Sequence, residues 1–301
     1  METSEWPALI DRFGLSLADR EMSPLTIRNY ARELRAFADW YHATYQEIPS
    51  ISSLTADDLR EYKEMLRERR LKPATINLAL AALRSLVKWA RAAKIVSEAI
   101  EAPKMVKLVR KTPRWLTRPQ ERKLLKVVRH GQDDQHVGLV ELFLVFGLRI
   151  SEMASLEWGD VEMTRTKGVL RVRRGKGAKE RELPFTGNER ARKALLLVGW
   201  LSHGKDKGRR ILQGQRGPLS ASGIKQLLTP YGAAAGLDGF SAHTLRHTCA
   251  KRMIERGADL PTVARWLGHE SLNTTMLYTL PSQEDLARAA GASEDGWSDE
   301  E

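Results

Sequence analysis

The chain has 301 residues, 42% of them hydrophobic and 29% charged, which predicts a soluble globular protein of two domains. No apolar run reaches the roughly 20 residues of a membrane span, the N-terminus lacks a secretion signal, and the single cysteine excludes an internal disulfide, so we expect a cytoplasmic protein without a structural metal. The net charge of +11 indicates a polyanionic partner, although ribosomal and membrane-surface proteins can have the same charge.

The first hundred residues predict four helices and no strand. Ser23 followed by Pro24 is typical of a helix start, because serine caps backbone N–H groups and proline fits the first turn. Thr55 can form a capping pair with Asp58, and Pro73 precedes a long helix. Apolar residues recur at helical spacing at Ile27, Tyr30, Leu34, Phe37, Tyr41, Ile76, Leu80, Leu83, Leu86 and Val87. The bundle alone is equally consistent with an interaction module without chemistry.

A basic stretch follows the bundle. No acidic residue occurs between Glu101 and Glu121, and three prolines favour an extended backbone there. Its cations are Lys104, Lys107, Arg110, Lys111, Arg114 and Arg118. We interpret this stretch as a linker whose cations follow a phosphate backbone, although a merely solvated linker would have the same composition.

Helices are predicted next, to about Arg129 and then over residues 137–146. The second is apolar on nearly every side, which indicates a buried helix. Arg149 and Glu152 follow it and are three residues apart, so the carboxylate can hold the guanidinium. Such a pair serves either a purely structural purpose or a ligand.

Two segments of alternating polarity, Val169–Arg173 and Arg181–Phe185, predict a β-hairpin. Its turn carries Lys176 between two glycines, which allow the backbone to approach a bulky ligand. Most lysines at exposed turns, however, have no particular role. Helices are predicted again over residues 188–201 and 222–235.

The last part of the chain contains two histidines, an arginine and a tyrosine of interest. His243 and Arg246 share one helical face near a helix start, where backbone N–H groups favour an anion. His269 follows a short helix predicted over residues 259–267, and Tyr278 lies nine positions later. A tyrosine has a pKa near ~10, so a tyrosine nucleophile needs neighbours that remove its proton. A turn or helix is predicted at residues 274–277, and a final helix at residues 283–290.

Together these motifs resemble the tyrosine recombinase (integrase) family, most closely its compact Xer-type members, over residues 4–290. The order of the motifs is that of the family: an arginine after a buried helix, a lysine at a hairpin tip, His-x-x-Arg, Leu-Gly-His and a tyrosine. The matching residues are Arg149, Lys176, His243, Arg246, His269 and Tyr278. Ala242 stands where proline is common and Leu280 where histidine is common, and neither departure removes a functional group.

The resemblance implies a mainly α-helical fold with a small β-hairpin or sheet, in two domains. A helical, SAM-like core-binding domain would span residues 1–102, and a basic linker residues 103–118. An α+β catalytic domain would follow over residues 119–292, with an acidic tail over 293–301. The linker residues implied to contact DNA are Lys104, Lys107, Arg110, Lys111 and Arg114.

The resemblance also implies a reaction. Tyr278 would attack a DNA phosphate, forming a 3′-phosphotyrosine and releasing a 5′-hydroxyl. Arg149 and Arg246 would bind the nonbridging oxygens, and Glu152 would orient Arg149. The bond energy would be kept in the covalent intermediate, so no ATP, metal or other cofactor is expected.

Three further residues would complete the chemistry. Lys176 would protonate the departing 5′-hydroxyl as general acid. His243 is the better candidate to accept the tyrosine proton, and His269 would bind the phosphate by a hydrogen bond. The implied substrate is double-stranded DNA with short inverted-repeat sites, and the implied assembly is a homotetramer in the synaptic complex, with or without a second, different recombinase.

Two other classes of protein stay open at the level of sequence. A type IB topoisomerase would use similar chemistry to relax supercoils, but the N-terminal bundle argues against it. A non-catalytic protein with a helix-turn-helix over residues 259–278 would bind DNA without cleaving it. The combination of Lys176 with Arg149 argues against this second class.

Overall fold

The structure is a computed structural model, and it describes residues 5–97, 100–108, 113–173, 180–269 and 275–276. The chain divides into two compact units, Met1–Arg110 and Lys111–Glu301. The described residues form twelve α-helices and five short strands, so the predicted mainly helical fold with a small sheet is confirmed. No helix in this described part is long and apolar enough to cross a membrane.

The first unit contains the four predicted helices. They are α1 (Glu5–Asp19), α2 (Pro24–Tyr45), α3 (Ala56–Glu68) and α4 (Pro73–Ala92). Ser23 Oγ accepts a hydrogen bond from the Thr26 backbone N–H and begins α2, while Thr55 and Asp58 form a reciprocal capping box at α3. Phe37 is fully buried at the centre of the bundle, and Tyr62 packs edge-on against its ring at 5.0 Å.

The chain after α4 is bound back to that helix. Asn77 of α4 accepts from the Val106 backbone N–H at 2.7 Å and donates to the Val106 carbonyl at 2.9 Å. Arg84 donates to the Pro103 carbonyl at 3.0 Å. The first residues of the predicted linker therefore lie against the bundle, with Lys104 and Lys107 exposed beside them.

The second unit contains α5 (Arg118–His130), α6 (Asp134–Phe146), α7 (Ile150–Ser155), α8 (Glu189–Leu197), α9 (Trp200–His203), α10 (Ala221–Ala234), α11 (Ala242–Glu255) and α12 (Leu260–Leu267). Helix α6 is buried along most of its length, as its apolar sequence predicts. The single helix predicted over residues 188–201 is wrong. It is two helices, α8 and α9, because the backbone adopts a φ of +104° at Gly199.

The predicted hairpin is part of a three-stranded antiparallel sheet. Its strands are β1 (Val161–Met163), β2 (Gly168–Val172) and β3 (Arg181–Pro184), in that order. Leu170 pairs with Leu183 across β2 and β3, and both face the core. A second pair, β4 (Gln213–Gly214) and β5 (Gly217–Pro218), was not predicted, and neither was β1. Segments of two or three residues are too short to show an alternating pattern.

Candidate active site

Arg149 lies where the buried helix α6 gives way to α7. The turn between them requires Gly147, whose φ is +60° and whose Cβ, if it had one, would lie 2.7 Å from Leu267 Cδ2. Arg149 donates from Nη1 to Glu152 Oε1 at 2.8 Å and from Nη2 to the Gly268 carbonyl at 2.7 Å. With its side chain 27% exposed, this guanidinium is held in place and still reaches the surface.

Glu152 is the centre of the site's ion pairs. Its side chain is 1% exposed, and Arg181 binds both carboxylate oxygens at 2.9 Å. Arg246 Nη1 lies 3.9 Å from Oε2. Burial by itself raises the pKa of Glu152, but the hydrogen bonds and charges of Arg181 and Arg149 outweigh it and hold the pKa below its usual value. The carboxylate therefore stays ionised and attracts all three arginines.

Helix α11 supplies the second predicted arginine. Ser241 caps the helix, and Thr248 Oγ1 accepts the Leu116 backbone N–H at 2.8 Å, which fixes α11 in the core. Arg246 projects from it into the protein and is 3% exposed. It donates to the carbonyls of Gly147 and Leu267, both at 2.6 Å.

The C-terminal end of α12 is the common acceptor of these arginines. Three consecutive carbonyls accept one arginine each: Arg181 binds Trp266, Arg246 binds Leu267 and Arg149 binds Gly268. The C-terminus of a helix carries partial negative charge, which suits three guanidiniums. Gly268 has a φ of +67° and ends the helix, and it directs the chain into His269.

Three histidines lie beside the arginines. Burial together with the nearby charges of Arg246 and Arg149 lowers the pKa of His269 to about 4. Burial, His243 and Arg246 lower the pKa of His247 to about 4 as well. His243 is exposed, yet the surrounding protein and the same two arginines still lower its pKa. All three imidazoles are thus mainly neutral at pH 7 and can accept a proton.

His269 also binds the segment that leads toward the predicted nucleophile. Its Nδ1 lies 2.9 Å from the hydroxyl of Thr275, a residue that is fully buried. Tyr278 follows three positions later and lies outside the described residues, as does Lys176 at the hairpin tip. Of the six residues matched to the family, the structure therefore describes four.

Those four, Arg149, His243, Arg246 and His269, come together from three parts of the sequence around Glu152 and the end of α12. Two further residues were not singled out from the sequence. His247 lies one helical turn after His243, with ring centroids 6.3 Å apart, so helical spacing alone could have identified it. Arg181 looks like any cation at the start of a strand, and no sequence signal sets it apart.

The predicted DNA-contacting residues lie in both units. Lys104 and Lys107 are exposed in the first unit. Arg114 is exposed in the second and donates to the Asp238 carbonyl. Arg110 and Lys111 lie outside the described residues. Among the residues that are described, no group of three or more His, Cys, Asp or Glu could hold a metal ion.

The arrangement as a whole suits an anionic phosphorus centre. Two guanidiniums lie beside one buried carboxylate, which binds Arg149 directly, and neutral imidazoles lie beside them. Guanidiniums bind phosphate oxygens through directed hydrogen bonds, and a neutral imidazole can accept a proton from a nucleophile.

Comparison with known proteins places the chain in a family. The model of the phage integrase family matches residues 114–284, and that of the phage integrase N-terminal SAM-like domain matches residues 10–94. Tyrosine recombinase XerC of Corynebacterium efficiens is 33% identical over 89% of this chain and 84% of its own. Tyrosine recombinase XerA of Thermococcus kodakarensis is 29% identical over 95% of each chain.

A solved structure of a lambda integrase tetramer bound to a Holliday junction has the same fold, with a TM-score of 0.68 and 19% identity over 90% of this chain and 76% of that chain. Family models that cover both units favour a recombinase over a topoisomerase or a non-catalytic helix-turn-helix protein. The chain belongs to the phage integrase family and is an Xer-type tyrosine recombinase, an enzyme of site-specific DNA recombination.

Proposed function

We propose that Tyr278 is the nucleophile of this recombinase and forms a 3′-phosphotyrosyl intermediate with DNA. The tyrosine oxygen bonds to phosphorus while the bond from phosphorus to the 5′-oxygen breaks, and a 5′-hydroxyl of the partner strand later reverses the step. The observation that carries this proposal is the convergence of Arg149 and Arg246 on Glu152 and the turn before His269. Two cations held together stabilise the extra negative charge of a pentacoordinate transition state.

Proton transfers accompany both bond changes. His243 accepts the tyrosine proton, which its lowered pKa permits at neutral pH. Lys176 donates a proton to the departing 5′-oxygen, and His269 binds a phosphate oxygen. Glu152 orients Arg149 and does not itself contact DNA.

The same proposal assigns the rest of the chain. Residues 1–102 act as the core-binding domain, residues 103–118 follow the DNA backbone and residues 119–292 hold the catalytic domain. The substrate is duplex DNA with short inverted repeats, bound by four copies of the chain, with or without a second recombinase. The lambda integrase tetramer, which has the same fold, supports this assembly. The proposed place of action is the cytoplasm.

Covalent trapping tests the nucleophile. Lightly nicked fragments of the source genome are incubated with the protein. Cleavage near a nick releases a short strand that diffuses away, so the covalent adduct cannot be religated and accumulates. Denaturing gels reveal the adducts, and their sequences define a target duplex. Wild type should form adducts, and Tyr278→Phe should bind the target duplex without forming any.

Tyr231→Phe is the matched control. The Tyr231 hydroxyl already lies 2.7 Å from His136 Nδ1, and the loss of that contact should leave adduct formation intact. Adducts that persist in Tyr278→Phe and vanish in Tyr231→Phe would assign the nucleophile to Tyr231. No adduct with wild type would remove the proposed reaction.

A further inference from the structure

Arg181 is the first residue of β3 and stands at the base of the hairpin, five positions after Lys176. Its side chain is 10% exposed. The guanidinium contacts two other elements at once: Nη1 and Nη2 bind the Glu152 carboxylate at 2.9 Å, and Nε donates to the Trp266 carbonyl at 2.8 Å. One side chain thus joins the hairpin, helix α7 and the end of α12.

Glu152 receives equal numbers of hydrogen bonds from Arg181 and Arg149. Oε1 accepts from Arg149 Nη1 and Arg181 Nη1, and Oε2 accepts from the Arg149 backbone N–H and Arg181 Nη2. An ionised carboxylate has about four acceptor positions. The two arginines together therefore occupy all of them.

Arg181 also packs directly on the turn before His269. A Cβ at Gly268 would lie 2.9 Å from Arg181 Nη1 and 3.2 Å from its Cζ. The guanidinium therefore covers the glycine whose carbonyl accepts the Arg149 hydrogen bond. Arg181 thus contacts both of the groups that accept hydrogen bonds from the Arg149 side chain, Glu152 and Gly268.

We propose that Arg181 is a positioning residue for DNA cleavage, which holds the Arg149 guanidinium on the nonbridging phosphate oxygens through Glu152 and the Gly268 turn. This inference rests on the proposed function, in which Arg149 binds those oxygens. Arg181 itself does not contact the phosphate. Its removal leaves two acceptor positions of the buried Glu152 unfilled, while Arg149 still binds the carboxylate at 2.8 Å and Arg246 Nη1 lies 3.9 Å from Oε2. A shift of Arg149 toward the unfilled positions would take it from the Gly268 carbonyl, and a shift of Arg246 would take it from the Gly147 and Leu267 carbonyls.

The test compares two forms of the target duplex with the full-length chain. One has an ordinary scissile phosphate, and the other has a methylphosphonate there, in which a methyl group replaces a charged nonbridging oxygen. The methylphosphonate has less negative charge to stabilise, so it depends less on a well-placed arginine. Single-turnover cleavage is measured at saturating protein for wild type, Arg181→Met, Arg181→Lys, Arg149→Ala and Arg171→Met.

On the ordinary phosphate we expect Arg181→Met to cleave about 10–100-fold more slowly than wild type, the scale of a misplaced catalytic group. On the methylphosphonate this deficit should shrink to about threefold or less, as for Arg149→Ala. Arg181→Lys keeps the charge but not the paired donors, so it should show the same pattern. Arg171 is an exposed arginine of β2 that pairs with Glu162 and Glu182, and Arg171→Met should cleave both substrates at the wild-type rate.

The comparison of substrates separates positioning from a general loss of structure. A partly unfolded preparation lowers both rates by the same factor, so an equal deficit on the two substrates overturns the inference. The inference is also overturned if Arg181→Met and Arg181→Lys cleave the ordinary phosphate at the wild-type rate. If Arg149→Ala gains nothing on the methylphosphonate, the proposed role of Arg149 fails, and this inference fails with it. Rescue of Arg149→Ala without rescue of Arg181→Met removes the inference alone.

Discussion

Arg149 Nη2 donates a hydrogen bond to the Gly268 carbonyl at 2.7 Å, across 119 positions of sequence. The bond joins the proposed phosphate-binding arginine to the turn that begins the segment of His269 and Tyr278. Arg149 and His269 therefore depend on one backbone conformation. We expect a change in that turn to affect the proposed roles of both residues.

Gly268→Ala should impair cleavage more than it impairs folding. Alanine at a φ of +67° costs about 1–2 kcal/mol, and its Cβ would also press against Arg181. We expect single-turnover cleavage of the target duplex to fall by about tenfold or more, the effect of a misplaced catalytic group. Gly257→Ala is the matched control, because Gly257 has a φ of +87° and open space at its Cβ. If both variants cleave equally well, the turn does not control the site.

Lys176→Ala should be slow on ordinary DNA, by about 10²–10⁴-fold for a lost general acid. A substrate with sulfur at the scissile 5′-bridging position should restore most of the rate, because a thiolate leaves without a proton. Arg149→Ala should gain no such rescue, since the proposed role of Arg149 is to bind the nonbridging oxygens. Lys179 is three residues further along the sequence, in the same predicted turn. If the sulfur substrate rescues Lys179→Ala and not Lys176→Ala, the general acid is Lys179. If it rescues neither variant, the general acid does not lie in the hairpin.

Replacement of Lys104, Lys107, Arg110 and Lys111 with glutamine should weaken binding to target and random duplex alike. Each lost phosphate contact should reduce the slope of log affinity against log salt by about 0.9. Fluorescence anisotropy measures that slope. The salt concentration is varied from roughly 50 to 300 mM, a range over which binding through phosphate contacts weakens strongly. Asn77→Ala breaks the anchor at Val106 without changing any charge, so its slope should equal that of wild type. An unchanged slope in the glutamine variant would place these cations in solvent.

Acidification should destabilise the second unit well before its carboxylates titrate. His247 and His269 have folded pKa values of about 4, whereas an unfolded histidine titrates near 6.5. The unfolded chain therefore binds more protons between those values, and the free energy of unfolding falls as the pH is lowered from 6.5 toward 4. Each histidine contributes less than about 3 kcal/mol of this loss, because solvent screens the partly exposed rings.

Urea midpoints at pH 7.5, 6.0 and 5.0 measure that loss. His247→Gln and His269→Gln should each make the fall with pH shallower, because each removes one proton-binding group. Glu152 adds its own loss only below about pH 4.5, since its pKa is lowered on folding. Midpoints that fall equally in wild type and both variants would contradict the assignment to these histidines.

Much of this fold follows from local sequence patterns. Ser23 and Thr55 begin helices through hydrogen bonds that span three residues, and the hairpin strands show their alternating polarity within five. Glu152 could be joined to Arg149 for the same reason, since the two residues are three apart on one helix start. The resemblance to the family then identified further candidate site residues, because their motifs occur in the family's order along the chain. These residues are Lys176, His243, Arg246, His269 and Tyr278.

Only the tertiary structure decided how those side chains are held. Arg149, Arg181 and Arg246 each bind a carbonyl at the C-terminal end of α12 or its cap, from 119, 85 and 21 positions away. A backbone carbonyl is the same at every residue, so no sequence pattern identifies the one that an arginine will bind. Arg181 has two long-range partners, Glu152 and the Trp266 carbonyl. These contacts exist only because the tertiary structure packs β3, α7 and α12 together, so the sequence does not indicate them.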